Sequence, residues 1–501
     1  MSIATKAVSG AAWNLVASVG SRIVGVVGTV VLTRFVAPAE YGEIAAAQIT
    51  IMMALTLTDV SVGQSIIARR VGPDVCFHAF VLHMGAAIVG LLAVGLLAAP
   101  VGPLLGAPGM LRFVPGFAVA ALFERLACVP GRVLVRDMRF RTVALTRAAA
   151  ELAFTGISVG LAPMLGGQAI VLGNIVRWAL VAAVYVFRVD WREWLVLQRI
   201  RWKVIRDLLA YGLPLSAGNL AAFASGNWDN LLMSRFFGVS TMGTYRLARS
   251  LADTPAYNVA AQLADVLLPS FARMDLPRRR DALIRSASIL ALIMSPLSVG
   301  LAAITPTLAN ALFDKQWAEL APMLMILSTP SIALPLTWAL ASFLQAQHRT
   351  RSLMFLSFFN VAVMLLLVVT LGRLGPRWAC LAVGSASVLH CAASLLRAHV
   401  AEGVPAWRFA AGVLRPLLAC VPMFAAVISA RHALGERLSS SWSLLIVEII
   451  TGAVVYVAAA LIMARPTVRD MTQLLRKALD SRSGRRDRAA SAAEAPVTLV
   501  D

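Results

Sequence analysis

Residues 10–47 read GAAWNLVASVGSRIVGVVGTVVLTRFVAPAEYGEIAAA. The stretch begins with an apolar run long enough to cross a bilayer as a helix, continues through a short polar turn at 34–42, and enters a second apolar run. One charged residue, Arg22, lies in the middle of the first run. The stretch therefore predicts two membrane helices joined by a tight turn, with a charge that needs a partner or an aqueous cavity.

The same order of features returns about two hundred residues later, in residues 211–248, which read YGLPLSAGNLAAFASGNWDNLLMSRFFGVSTMGTYRLA. At an offset of 201 residues, a few identical positions coincide, but the shared order of features is the stronger signal. This order predicts that the chain contains two copies of one helical unit. The coinciding pairs include Gly25 with Gly226, Arg34 with Arg235, Phe35 with Phe236, and Gly42 with Gly243.

The composition is that of a membrane protein. Hydrophobic residues make up 59% of the 501 residues and charged residues 14%, whereas a soluble protein carries about a quarter charged residues. Apolar runs of about 20 residues recur along the chain and predict about fourteen transmembrane helices. The predicted fold is an all-α polytopic membrane protein with two six-helix lobes, a parallel repeat around a central cavity, and two further C-terminal helices. The predicted segments are an N-lobe at 1–187, an amphipathic cytoplasmic linker at 188–210, a C-lobe at 211–396, the last two helices at 397–464, and a basic cytoplasmic tail, predicted to be disordered, at 465–501.

The net charge of +20 indicates membrane topology rather than nucleic-acid binding. The basic residues are concentrated in alternate short loops and in the tail, as the positive-inside rule describes for cytoplasmic segments. Both termini are therefore predicted to be cytoplasmic. The linker begins RVDWREWLVLQRIRWKVIR at 188–206 and predicts a helix that lies among the lipid headgroups.

Ionisable residues are rare inside the predicted spans, and each costs roughly 2.5–3.5 kcal/mol on insertion scales, so each needs a reason. Besides Arg22, the sixth span contains Arg177, three residues after Asn174 and on the same helical face. Asp59 closes the second span and Asp229 interrupts the seventh. Such residues are expected to face an internal cavity, and the alternative is a structural ion pair inside the helix bundle.

The eighth predicted span has the densest set of charges, with Arg246, Arg249 and Asp253 at positions i, i+3 and i+7. Arg249 and Asp253 are four residues apart and can pair along the helix. A guanidinium donates two parallel hydrogen bonds to a phosphate, so these arginines suit a cargo that carries a diphosphate. The residues predicted to bind the cargo are Arg22, Arg177, Arg246 and Arg249, and those predicted to orient the arginines or to couple transport to an ion are Asp59, Asp229 and Asp253.

No enzyme signature is found in the sequence. The six histidines and five cysteines are scattered without metal-ligand spacing, and there is no phosphate-binding GxxxxGK[ST] loop. The sequence therefore predicts a transporter without a metal site or a bound cofactor. Glu124 and Arg125 are predicted to have a local structural role, and Glu448 stands alone in the last span.

Several motifs together resemble the polysaccharide-repeat-unit flippases, the O-antigen and exopolysaccharide branch of the multidrug/oligosaccharidyl-lipid/polysaccharide exporter superfamily. Each motif is degenerate, and their order and spacing carry the resemblance, which covers roughly residues 5–464. SRIVG at 21–25 is also similar to the first helix of the lipid II flippases, whose arginine faces a cationic cavity, and this similarity supports Arg22. The motifs are LTRFVAPAEYG at 32–42, TDVSVGQSIIARR at 58–70, VLVRDMRFRTVAL at 133–145, YGLP at 211–214, DNLLMSRFFGVSTMGTYRLARSL at 229–251, VLLPSFARM at 266–274 and ALFDKQWAE at 311–319.

The resemblance implies alternating access driven by a proton or sodium gradient. It implies a lipid-linked oligosaccharide as cargo, namely an undecaprenyl-diphosphate carrier moved across the bacterial inner membrane, among membrane lipids and beside the polymerase and glycosyltransferases of one pathway. Two alternatives are less consistent with the sequence. A multidrug or cation exporter needs an anionic or aromatic cavity with few buried arginines. A membrane glycosyltransferase or ligase needs a large outside loop with catalytic residues, and we identify none in the sequence.

Overall fold

The structure is a computed structural model that describes residues 20, 24–59, 66, 72–196, 198–347, 349–438 and 440–473. These residues form α-helices and short connections, and none of them lies in a β-strand. A helical stretch at 24–32 precedes fifteen further helices. They are α1 (Pro38–Leu57), α2 (Pro73–Leu104), α3 (Val114–Arg136), α4 (Phe140–Leu165), α5 (Gln168–Arg188), α6 (Trp202–Phe237), α7 (Val239–Ala272), α8 (Leu276–Leu312), α9 (Leu320–Ser328), α10 (Ala333–Gln345), α11 (Thr350–Leu371), α12 (Pro376–Glu402), α13 (Ala406–Leu418), α14 (Cys420–Leu434) and α15 (Ser441–Met463).

Nine segments of the described chain are long and apolar enough to cross a membrane. They are α2, α4, α5, α8, α9 together with α10, α11, α12, α13 together with α14, and α15. The remaining long helices, α1, α3, α6 and α7, are not among these nine segments. The predicted fold class is confirmed as helical and polytopic, while the number of fourteen spans stays a prediction.

A proline inside an apolar run is expected to kink or end a helix, but only some of the prolines in the described residues do so. Pro330 interrupts a helix, because it lies in the 3-10 turn Thr329–Ile332 that separates α9 from α10. Helices α6, α7 and α8 continue through Pro214, Pro255 and Pro296. A proline removes one backbone donor from a helix without necessarily ending it in a membrane protein, where neighbouring groups satisfy the freed carbonyl.

The described chain divides into two compact units. The first comprises residues up to Asp253, with Ala309–Leu327 and Met354–Leu389. Its main hydrophobic cluster includes Val133, Tyr185 and Trp194. The second unit comprises Thr254–Leu308, Ser328–Leu353 and the residues from His390 onwards. In this unit the hydroxyl of Tyr456 donates to the carbonyl of Leu292 at 2.8 Å within a second cluster. The predicted lobe and tail boundaries stay predictions.

The linker between α5 and α6 differs from the interfacial helix expected at 188–206. Only Trp191–Glu193 form a 3-10 turn, and the next helix begins at Trp202. Trp194 is 2% exposed and contacts Phe80 edge-on, with 5.1 Å between the ring centroids. The prediction of an interfacial helix at 188–206 is therefore wrong. Such a helix would leave all three tryptophans of the linker at the lipid interface, whereas one of them packs into the protein.

Helices α1 and α7 cross so closely that glycine is required on both sides. A Cβ at Gly42 would collide with the carbonyl oxygen of Val239, and a Cβ at Gly243 would collide with the carbonyl oxygen of Pro38. A single residue, Gly238, joins α6 to α7 with φ at 83°, a conformation that favours glycine. The crossing brings the polar faces of both helices to the same cavity in the first unit.

Candidate functional site

Two adjoining polar cavities lie inside the first unit. The smaller has a volume of about 110 Å³, and its wall includes both Arg177 from α5 and Arg246 from α7. The larger has a volume of about 240 Å³, and its wall includes Glu124 and Arg125 from α3. Three polar residues belong to both walls: Gln48, Asn174 and Arg177. Four helices therefore bring polar groups from distant parts of the sequence to one place.

Arg246 is the cation with the least compensation at this site. Its Nη2 donates to Oε1 of Gln48 at 2.8 Å, and Tyr41 also lines the same cavity. No carboxylate of the described residues lies within ion-pair distance of this guanidinium. A partly buried arginine whose positive charge is not compensated by a carboxylate of the described residues favours an anionic guest.

Arg177, which lines the same cavity, is held by weaker contacts. Its Nη2 lies 3.4 Å from Oε2 of Glu151 in α4, and its guanidinium lies over the rings of Phe154 and Trp178, 5.9 and 5.4 Å from their centroids. Asn174, one turn earlier, donates to the carbonyl of Ile170 at 3.1 Å. These contacts fix the position of Arg177 beside Arg246 on the cavity wall, where two guanidinium groups can face one diphosphate.

Arg249 lies one turn after Arg246 but has a different environment. It forms an ion pair with Asp229 of α6, which is 0% exposed, and its Nε lies 3.3 Å from Asp253. Its Nη1 also donates to the hydroxyl of Tyr245 at 3.0 Å, and that hydroxyl donates to Asp229. The predicted pair between Arg249 and Asp253 is therefore present, within a network that already balances the charge of Arg249.

Asp59 belongs to a third polar cluster in the first unit. Its Oδ1 lies 3.7 Å from Nδ1 of His83 and 3.8 Å from Nη1 of Arg125. Arg125 also contacts Nε2 of His83 at 2.9 Å and donates to the carbonyl of Leu55 at 3.0 Å. The cluster therefore places a carboxylate, an imidazole and a guanidinium side by side.

The structure thus places the sequence-predicted residues in three groups. Arg177 and Arg246 share a cavity, Arg249 shares a network with Asp229 and Asp253, and Asp59 joins the cluster of His83 and Arg125. Arg22 lies outside the described residues. The assigned roles of these residues stay predictions.

Sequence reasoning missed several partners at these sites, including Gln48, Glu151 and Tyr245. Gln48 and Tyr245 are uncharged, so a search for charges within apolar runs passes over them. Glu151 could have been found, because it is a carboxylate within a predicted span.

The sequence suggested that Glu448 stands alone, but in the structure this residue has close partners. In the second unit its Oε1 accepts from Nε of Arg431 at 2.7 Å and from the hydroxyl of Thr307 at 2.8 Å. Arg431 also donates to the carbonyl of Ala303. The carboxylate is 0% exposed, so this contact between α8, α14 and α15 is a buried structural ion pair rather than part of the cavities.

Comparison with known proteins agrees with this architecture. Residues 31–322, more than half of the chain, match the family described as polysaccharide biosynthesis protein. Lipopolysaccharide biosynthesis protein WzxC of Escherichia coli K12 is 24% identical over 357 residues, which cover 70% of this chain and 72% of that relative. Succinoglycan biosynthesis transport protein ExoT of Rhizobium meliloti is 26% identical over 323 residues, which cover 63% of this chain and 64% of that relative, slightly less than two thirds of its length.

Solved structures show the same fold. The lipid II flippase MurJ in an inward closed conformation superposes with a TM-score of 0.71 at 15% identity, covering 90% of this chain and 99% of that structure. An inward-facing multidrug resistance MATE family transporter gives a TM-score of 0.61 at 14% identity, covering 76% and 94%. At these identities the likeness concerns the fold alone. Together with the family match, it leads to one conclusion: this multi-pass membrane protein belongs to the family of polysaccharide biosynthesis proteins.

Proposed function

We propose that this protein moves undecaprenyl-diphosphate-linked oligosaccharide repeat units across the bacterial inner membrane, for the synthesis of a surface or secreted polysaccharide. The names of its relatives concern lipopolysaccharide and succinoglycan biosynthesis. The fold is shared with a protein that flips lipid II. The single observation that carries the proposal for this chain is Arg246, a guanidinium on a cavity wall beside Arg177 with no described carboxylate in contact.

The cargo chemistry follows from this cavity. A diphosphate carries two adjacent negative charges, and arginine forms parallel charge-assisted hydrogen bonds to phosphate oxygens. Arg246 and Arg177 line one cavity of about 110 Å³, which has room for a small charged group but not for an oligosaccharide. We assign the diphosphate to this cavity and expect the sugars to extend beyond it. Arg22 remains a candidate third cation from the first helix.

Coupling to an ion gradient is part of the proposal. Asp59 beside His83, and Asp229 with Asp253 around Arg249, are the carboxylates that a proton or sodium ion could reach. Proteoliposomes that hold either a pH gradient or a sodium gradient, but not both, distinguish the two ions. An equal rate of transport with and without an ion gradient would contradict ion coupling. It would leave the assignment of the cargo unchanged.

The distribution of basic residues favours an orientation with both termini in the cytoplasm. The direction of transport, from the cytoplasmic leaflet to the outer side, is the one that the resemblance to the repeat-unit flippases implies. The enzymes that make the repeat unit then act on one side and a polymerase on the other.

The test is Arg246→Ala in proteoliposomes supplied with undecaprenyl-diphosphate-linked oligosaccharide. Transfer is measured as the fraction of sugar that becomes open to periodate in the opposite leaflet. Loss of a charge-assisted hydrogen bond, about 1.5–3 kcal/mol, lowers the rate roughly 10- to 100-fold, while Arg246→Lys keeps part of it because the charge remains.

The matched control is Arg235→Ala, because Arg235 is an exposed arginine that lines neither cavity. This control is expected to transport normally. Equal transfer by Arg246→Ala and the unaltered protein, at equal amounts in the membrane, contradicts the role of Arg246. Efflux of ethidium without transfer of the lipid-linked sugar points instead to a multidrug exporter.

A further inference from the structure

A third cavity of the first unit lies away from the arginine site and has a different chemistry. It has a volume of about 490 Å³, within the range of small-molecule sites. Its wall comes from the start of α7, from the segment between α8 and α9 with the first turn of α9, and from the turn before α12 with the first turn of α12. The polar and aromatic residues on this wall are Ser240, Thr241, Thr244, Gln316, Glu319, Arg377 and Trp378.

The charges of this cavity balance each other. Nη2 of Arg377 lies 3.3 Å from both carboxylate oxygens of Glu319. Such an exposed pair adds little to stability, so its contribution to folding does not explain its place on a cavity wall. Because the pair carries no net charge, it does not favour a phosphate. It offers fixed donors and acceptors to a neutral guest that has several hydroxyl groups.

The remaining wall fits the same kind of guest. Trp378 is 47% exposed and presents a large flat apolar ring, and Ser240, Thr241 and Gln316 line the same cavity. The Thr241 hydroxyl donates to the carbonyl of Phe237 at 3.1 Å and the Gln316 amide donates to the carbonyl of Thr33 at 3.3 Å, so these two side chains offer mainly their oxygens as acceptors. A sugar ring has one apolar face of C–H groups and a rim of hydroxyls. An indole ring flanked by hydrogen-bonding side chains and a neutral ion pair matches both parts.

We propose that this cavity is a carbohydrate subsite that receives sugar residues of the cargo, separate from the site that holds the diphosphate. This inference rests on the proposed function, because that function identifies the cargo as a lipid-linked oligosaccharide. Its three wall segments are connections that the charge distribution places on the outer side of the membrane, so the subsite would bind the glycan as it leaves. Trp378 is the stacking residue, and Glu319 with Arg377 bind the hydroxyls.

The test measures sugar binding directly. The probe is the lipid-free oligosaccharide released by mild acid from the lipid-linked pool of the producing cells, titrated onto the full-length protein in nanodiscs. We expect Trp378→Ala to weaken binding about tenfold or more and Trp378→Phe to retain most of it, because phenylalanine keeps an aromatic face. Inorganic pyrophosphate should not compete.

Trp442→Ala is the matched control. Trp442 is 53% exposed, lies at the start of α15 as Trp378 lies at the start of α12, and does not line this cavity. Binding equal to that of the unaltered protein is expected for this variant. The subsite proposal fails if the unaltered protein does not bind the oligosaccharide, or if Trp378→Ala and Trp442→Ala bind it equally well.

A labelling experiment locates the subsite and separates it from the proposed function. Thr241→Cys should react with a membrane-impermeant maleimide from outside intact cells, and the oligosaccharide should slow this reaction in nanodiscs. If transfer of the lipid-linked sugar proceeds while Thr241→Cys shows no protection, the subsite is wrong and the function stands. If the unaltered protein neither transfers the carrier nor binds the sugar, the proposed function itself fails.

Discussion

Arg246 and Arg249 are one helical turn apart, yet their surroundings assign them different tasks. Arg246 contacts an amide and a cavity, whereas Arg249 is held by Asp229, Asp253 and Tyr245. From the sequence alone, replacement of Arg249 by alanine is expected to stop transport without loss of protein. The structure changes this expectation, because the replacement leaves Asp229 as a buried carboxylate without its cation.

We therefore predict that Arg249→Ala destabilises the protein by about 3–5 kcal/mol, the usual cost of breaking a buried ion pair. The measurement is the melting temperature of the purified protein in detergent. Arg249→Ala combined with Asp229→Asn should recover much of the loss, since the uncompensated charge is removed. An unchanged melting temperature for the single variant would show that the pair adds nothing to folding.

The buried ion pair of the second unit allows a similar test with residues that line none of the three cavities described above. Arg431→Ala removes the cation that contacts Glu448 at 2.7 Å, so we expect a loss of about 3–5 kcal/mol. Arg431→Met with Glu448→Leu should be close to the unaltered stability, because well-packed apolar residues often replace a buried pair. Transfer of the lipid-linked sugar by this double variant checks that the pair has no part in transport; complete loss of transfer at normal stability would contradict its structural role.

The residues of the candidate site that could be identified from the sequence are the charged ones, because a charge is costly to remove from water. Arg177, Arg246 and Asp229 stand out because a charge within an apolar run is rare. Their partners could not be assigned, because Glu151 and Gln48 lie on other helices and no local pattern joins them to an arginine. The separate tasks of Arg246 and Arg249 depend on which helix faces each side chain, which the spacing i, i+3 does not specify.

At the scale of helices, the crossing of α1 and α7 is the contact most sensitive to a single methyl group. We predict that Gly42→Ala and Gly243→Ala each destabilise the protein by about 1–3 kcal/mol, because each added Cβ meets a backbone oxygen that cannot move aside easily. Thermal unfolding of the two variants is the measurement. Gly226→Ala is the control, since no heavy atom outside its own helix lies within 4 Å of a Cβ there; an equal loss in all three variants would contradict the crossing.

Helix positions were predictable because an apolar run of about 20 residues can adopt few structures other than a helix in a membrane. The structure of the linker between α5 and α6 was not predictable, because its tryptophans fit both a surface helix and a packed loop. The contact of Trp194 with Phe80 decides between them, and it joins residues more than a hundred positions apart. Such long-range packing leaves no mark in the local sequence pattern.

At the scale of the first unit, the repeat seen in the sequence is matched by reciprocal contacts. At the offset of 201 residues, Pro38 corresponds to Val239 and Gly42 to Gly243, and each glycine meets the partner segment's corresponding carbonyl. A two-fold relation between the two copies requires such pairs, which supports the predicted duplication.

Two further contacts lie among connections that the predicted topology places on the outer side. Nη1 of Arg34 contacts Oδ1 of Asp314 at 2.7 Å, and Trp317 donates to the carbonyl of Thr33 at 3.0 Å. If the protein works by alternating access, the contacts must break when the cargo leaves outward. Because the pair is half exposed, it contributes up to about 1 kcal/mol, enough to change a two-state population about fivefold.

We predict that Arg34→Asp raises the outward-open population by about this factor, because two carboxylates then face each other. The measurement is the rate at which a membrane-impermeant maleimide labels Gln48→Cys, whose position lines the arginine cavity, from outside intact cells. Arg34→Asp combined with Asp314→Arg should return the rate to its original value, since the attraction is restored with reversed charges. Faster labelling that persists in this double variant would mean that Arg34 acts through another contact, and an unchanged rate in the single variant would exclude the pair as part of the outer closure.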